Sequence, residues 1–171
     1  MSFKVFISYS SKDEMRISPF LETLKLITGL NYYFFKETKE IAQSTHADIL
    51  TNIKDSDAFL IFHSVNSLKS SYTQNEIGAA IGLGKQVIVA KLDKTKPAGM
   101  LKGMNYLDFY NKEMFHAEID KLISWIRSKI AERQVLQPTA GKEGFDWVNF
   151  LLLVGIIAGS VYLISKAAKK G

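Results

Sequence analysis

Tyr72 and Glu76 stand four positions apart in the stretch Tyr72-Thr73-Gln74-Asn75-Glu76-Ile77-Gly78-Ala79-Ala80, where a short loop tips into a helix. Residues at i and i+4 share one helix face, so this spacing puts an aromatic plate beside a carboxylate. The pair suits a flat, charged ring attached to a sugar. An arbitrary helical glutamate is most often a solvated charge; the loop position and the aromatic neighbour set Glu76 apart. A second wall is expected from the N-terminal segment Phe3-Lys4-Val5-Phe6-Ile7-Ser8-Tyr9-Ser10-Ser11-Lys12-Asp13-Glu14.

Other chemistries find little footing. The chain has no cysteine, which removes disulfides, thiol nucleophiles and Cys-ligated zinc. His46, His63 and His116 are scattered without metal-ligand spacing, so they read as structural or exposed and no metal site is expected. There is no Ser-centred elbow, no Walker loop and no Rossmann glycine fingerprint. The net charge of +5 includes Lys166, Lys169 and Lys170 at the very end. No dense basic stripe lies within the body of the chain, so nucleic acid is not an expected partner.

The elements that must position Tyr72 and Glu76 alternate between strand and helix. Strands are expected at Lys4–Ser8, Tyr32–Phe35, Ala58–Phe62, Gln86–Lys91 and Asn105–Phe109. Helices are expected over most of 15–28, with Ser18-Pro19 as its opening and Gly29 as its stop, and over 45–55, 73–83 and 112–133. The segments 36–44, 63–71 and 92–104 read as irregular. This alternation calls for an α/β fold, a five-stranded parallel sheet flanked by helices, in the flavodoxin-like order 2-1-3-4-5. Ligands of such sheets bind at the carboxyl ends of the strands, at the switch point between strands one and three. The loop Tyr9–Glu14 and the segment leading to Tyr72 and Glu76 then open onto one crevice. The first strand ends in Ser8-Tyr9 rather than in acidic residues, which argues against a phosphoacceptor domain.

The body of the chain is expected at 1–133, followed by a linker at 134–144 with Pro138, Gly141 and Gly144. Trp147–Ser165 is 19 residues without a charge, about the length a helix needs to cross a bilayer. A transmembrane helix at 145–165 is therefore expected, with a basic tail at 166–171 facing lipid headgroups. Trp147 and Tyr162 fall near its ends. Gly155 and Gly159 form a GxxxG pair that lets two such helices approach closely. A buried helix of a soluble oligomer is the other reading of this run. The flanking charges do not decide orientation. The short apolar run at the N-terminus is no signal peptide, and a single-pass protein with a cytoplasmic domain is expected.

Four segments, in order, carry a family resemblance. Phe6-Ile7-Ser8-Tyr9-Ser10-Ser11-Lys12-Asp13 resembles the opening strand and loop of Toll/interleukin-1 receptor (TIR) domains. Asp55-Ser56-Asp57-Ala58-Phe59-Leu60-Ile61-Phe62-His63-Ser64 resembles their third strand, and Gly84-Lys85-Gln86-Val87-Ile88-Val89 their fourth. Ser70-Ser71-Tyr72-Thr73-Gln74-Asn75-Glu76 resembles the helix in which an aromatic residue precedes an essential glutamate by four positions. The likeness spans about residues 3–133 and is closer to prokaryotic TIR proteins than to animal adaptors. Tyr72 stands where a Trp is common, and Thr73 where many relatives have Cys.

The resemblance implies NAD as substrate rather than cofactor, with cleavage of its nicotinamide–ribose bond by hydrolysis or cyclisation. It also implies activity on self-association, and a place in antiviral, abortive-infection defence. Glu76 is then the catalytic carboxylate and Tyr72 the stacking platform. Ser8, Tyr9, Ser10 and Asp13 are expected to contact the rest of the dinucleotide, and Lys36 its phosphates. Asp13 equally suits a helix cap or turn, Tyr9 the edge of the core, and Lys36 a solvated surface. Three other functions fit the same sequence: a non-catalytic scaffold, a membrane-disrupting effector driven by TIR clustering, and a nucleoside deoxyribosyltransferase.

Overall fold

The computed structural model describes residues 2–34 and 46–135, leaving aside the side chains of His46 and Val135. Lys36, Gly155, Gly159, the expected transmembrane segment 145–165 and the tail 166–171 lie outside the described residues. Among those described, no helix is long and apolar enough to cross a membrane. The chain divides into two units, Met1–Gln134 and Val135–Gly171, and the sheet, its helices and the cleft belong to the first.

Five strands, β1 (Phe3–Ser8), β2 (Leu30–Phe34), β3 (Ala58–His63), β4 (Gln86–Lys91) and β5 (Tyr106–Asp108), form one sheet. Its order is β2-β1-β3-β4-β5 and every pairing is parallel. This is the topology the alternating pattern called for. The central strand β3, Ala58-Phe59-Leu60-Ile61-Phe62-His63, is buried at all its positions, which is why it reads as an unbroken apolar run.

Because side chains alternate across a strand, the sheet feeds two cores. Val5, Ile7, Leu60 and Phe62 pack with Ile17, Phe20 and Leu24 of α1 (Glu14–Lys25) and with Leu122, Ile126 and Ile130 of α5 (Phe115–Val135). Phe6, Phe59 and Ile61 pack with Ile53 of α2 (His46–Asp55) and with Ile77 and Ala80 of α4 (Ser71–Gly82). Each large apolar side chain fully buried in this way stabilises the fold by about 1.5–3 kcal/mol.

Three local expectations are corrected. First, α1 begins at Glu14, directly after a 3-10 turn at Ser11–Asp13, so Ser18-Pro19 lies inside the helix. Pro19 brings no N–H for the carbonyl of Met15, one turn back. Met15 itself lies on the exposed side of the helix. Second, the segment expected to be irregular after β3 holds a short helix, α3 (Val65–Lys69). Ser64 and Ser67 form a reciprocal capping box at its start, which satisfies two end N–H groups. Third, α5 runs on to Val135, so the first two residues of the expected linker are helical.

The turn from α1 to β2 needs Gly29. Its φ is 84°, and its carbonyl accepts the N–H of Phe3 at 2.9 Å. A Cβ there would lie 3.0 Å from Ile130. At the same end of the sheet, Arg133 donates to the carbonyl of Ser2 at 2.9 Å and to the carboxylate of Asp57. Asp57 in turn accepts the N–H of Lys4 at 2.8 Å.

Candidate active site

The local sequence fixes how α4 starts. The Ser70 hydroxyl accepts the N–H of Thr73 at 3.2 Å, capping the helix and setting the rotation of the residues behind it. Thr73, Glu76, Ile77 and Ala80 then form its buried face. Tyr72 sits at the rim of that face, 41 % exposed, whereas Glu76 is only 5 % exposed.

Both residues border an open cleft of about 180 Å³ between α2 and α4. Among the described residues its walls are Ile49, Leu50 and Ile53 of α2 and Tyr72, Asn75, Glu76 and Ala79 of α4. The lining is apolar apart from Asn75, Glu76 and the Tyr72 hydroxyl. A space of this size and character takes one ring or one sugar, not a whole dinucleotide.

The floor beneath Glu76 is β1. Ser8 follows Phe6 on the face turned toward α4, and its Oγ donates to Glu76 Oε2 at 2.6 Å. That length lies within the ordinary range of a hydroxyl hydrogen bond. The first strand and the glutamate helix therefore do meet at the switch point between β1 and β3.

The other residues expected at the site are placed differently. Tyr9 turns to the opposite face of the sheet, in the core with Ile17, Phe20 and Leu24, its ring 6.2 Å from that of Phe34. Its hydroxyl is buried with no hydrogen-bond partner among the described residues. Burial, with the charge of Glu14 as a lesser cause, pushes this phenol up to about 12. Ser10 is buried, and its carbonyl accepts the N–H of Asp13 at 2.8 Å within the loop.

Asp13 has no exposed surface. Its oxygens accept from Ser64 Oγ at 2.5 Å and from Asn66 Nδ2 at 2.9 Å, and Arg16 lies at 3.4 Å. In this structure Asp13 braces the two loops and does not reach the cleft. The α2 wall was not foreseen as part of the site, although the apolar side formed by Ile49, Leu50 and Ile53 was its signal. Among the described residues no group of three or more His, Asp or Glu side chains is placed to hold a metal ion.

Helices pack on both faces of this sheet, which gives a TIR-like α/β fold. The chain belongs to the TIR domain family, which it matches over residues 5–123. None of the curated proteins searched matches it. Among solved structures it is similar to the TIR domain of a Toll-related receptor from Hydra magnipapillata, with a TM-score of 0.61 and 21 % identity over 72 % of this chain and 97 % of that one. It is also similar to a prokaryotic SEFIR domain, with a TM-score of 0.55 and 14 % identity over 84 % and 99 % of the two chains. A third relative is the CMP N-glycosidase of Clostridium botulinum, with a TM-score of 0.51 and 22 % identity over 70 % and 97 %. At these identities the likeness shows a shared fold.

Proposed function

We propose that this TIR protein cleaves the nicotinamide–ribose bond of NAD, as a hydrolase or a cyclase, with Glu76 as the catalytic carboxylate. One observation carries the reading: Glu76 is buried, bonded to Ser8 at 2.6 Å, and borders a cleft whose rim is the Tyr72 ring. Breaking the C1′–N bond sends its electron pair to the departing ring, which leaves neutral, and positive charge develops on the ribose. A fixed carboxylate in a mainly apolar cleft stabilises that charge and can accept hydrogen bonds from ribose hydroxyls. Water then attacks C1′ and releases a proton to solvent, or a nitrogen of the adenine does so and closes a ring. Tyr72 stacks on the base. Lys36, if it approaches the phosphates, does so from the segment between β2 and α2.

The same proposal includes a membrane anchor at 145–165, helix pairing through Gly155 and Gly159, a cytoplasmic TIR domain, and activation by self-association in antiviral defence. Its support is the uncharged run Trp147–Ser165 and the family.

A second reading has its own observation. Glu76 bonded to Ser8 also fastens α4 to β1, as a purely structural carboxylate would in a non-catalytic scaffold. The test is the full chain in liposomes with NAD, beside its Glu76→Gln form. The wild type should float with the vesicles and release nicotinamide, and the variant should release it at least about 100-fold more slowly. Equal rates leave the scaffold reading, and a chain that stays with the soluble fraction removes the anchor.

A further inference from the structure

We propose that Ser8 is the positioning residue of Glu76: its hydroxyl, donated from β1 to α4, aims the carboxylate into the cleft without touching substrate. This rests on the reading of Glu76 as the reacting carboxylate. The two side chains are 68 positions apart in the chain and meet at 2.6 Å. Ser8 is 1 % exposed and is not among the residues lining the cleft, so a ligand seated there has no route to its Oγ.

The platform beneath this bond is rigid. β1 is paired on both sides, to β2 and β3, and Ser8 itself is in register with Ile61. Next to it on the same face, Phe6 stacks on Phe59 with ring centroids 5.6 Å apart and 6° between their planes. A glutamate carboxylate has two rotatable bonds beyond Cβ, and a hydrogen bond to a fixed donor restricts both. Ser8 supplies such a donor from a strand paired on both sides, and sites supported by such elements keep their geometry. The hydroxyl also belongs there for a negative reason: a buried serine without a partner is destabilising, and alanine would fill this strand position at no such cost.

A merely structural Ser8 and a positioning Ser8 make different kinetic predictions. In the full chain in liposomes, with NAD as the probe, Ser8→Ala should lower kcat for nicotinamide release about 10- to 100-fold, the scale of a misplaced reacting group. KM should stay within about twofold, because ground-state binding is not affected. Ser8→Thr, which keeps a hydroxyl and suits a strand, should restore most of kcat. Ser8→Cys, of similar size but a weaker donor, should not, and it serves if the alanine form folds poorly. Added to Glu76→Gln, Ser8→Ala should cause no further loss, as for two residues acting as a unit.

A raised KM at unchanged kcat would make Ser8 a substrate contact and overturn the proposal. So would wild-type kcat in Ser8→Ala, or losses that multiply in the double variant. If Glu76→Gln is inactive while Ser8→Ala is normal, only this inference falls. If the wild type and Glu76→Gln release nicotinamide alike, the proposed function falls and takes the inference with it.

Discussion

The carboxylate of Asp13 and the hydroxyl of Ser64 meet at 2.5 Å across 51 residues of chain. Asp13 closes the turn after β1, and Ser64 caps α3 after β3. Their bond joins the two loops that flank the switch point of the sheet. The Ser64 oxygen also accepts the N–H groups of Asn66 and Ser67, at 3.1 and 3.0 Å, so it is fully used. Asp13→Ala would leave the buried Ser64 hydroxyl and the half-buried Asn66 amide without their acceptor. The expected loss is about 2–3 kcal/mol, read as a lower urea midpoint at unchanged slope. A midpoint equal to wild type would mean that water replaces the carboxylate.

Tyr9→Phe tests which way the first βα turn faces. Removing a buried hydroxyl that has no partner among the described residues should leave stability unchanged or raise it by about 1 kcal/mol. KM for NAD should not move, because the Tyr9 ring lies on the α1 side of the sheet. A raised KM would restore the direct contact that the sequence suggested.

The burial of His63 predicts a pH dependence of definite sign. It is buried at the end of β3, with Nε2 3.2 Å from the carbonyl of Lys96. A carbonyl only accepts, so Nε2 carries the proton and Nδ1 is the bare acceptor. Burial pushes the pKa down, against the smaller opposing effects of the Lys96 carbonyl and the charge of Asp93. The unfolded chain therefore takes up a proton first as pH falls. The contribution of His63 is complete above its unfolded pKa of about 6.5 and is lost progressively below it. Urea unfolding at a series of pH values should show this decline in the wild type and a shallower one in His63→Gln. Parallel curves would mean that His63 takes up its proton alike in the folded and the unfolded chain.

Tyr72 should act through its ring. Tyr72→Phe keeps the stacking face and should hold KM for NAD. Tyr72→Ala should raise KM about 10-fold, the scale of one base stacked on an aromatic side chain. Since Tyr72 is 41 % exposed, its removal should change thermal stability little. A Tyr72→Phe form as weak as Tyr72→Ala would assign the role to the hydroxyl instead.

The sheet order was legible because its signals are long and redundant: five apolar runs separated by helical periods leave few ways to cross over. That Tyr72 and Glu76 border one cleft was legible through their spacing. The companions of Glu76 were harder to assign. Ser8, Tyr9 and Ser10 were expected together at the cleft, yet neighbours on a strand point to opposite faces, and Tyr9 lies in the other core. That parity was present in the sequence and sufficed to separate Ser8 from Tyr9. Asp13 was ambiguous for a different reason. Whether a loop carboxylate faces ligand or protein depends on Ser64 and Asn66, which only the fold brings near. Pro19 misled because a first-turn proline is common, and the 3-10 turn that starts α1 earlier has no strong signature. The helix α3 escaped notice because its capping box uses Ser67 where glutamate or glutamine is the familiar partner.

The contact of Arg133 with the carbonyl of Ser2 means that the TIR domain begins and finishes at one corner. A polypeptide whose ends meet can be rewired: joining them by a short bridge and opening a surface loop elsewhere should give a permuted domain with the same sheet. The same geometry warns against crowding. A bulky group attached next to Ser2 would crowd Arg133, so a reporter is better carried at an internal loop.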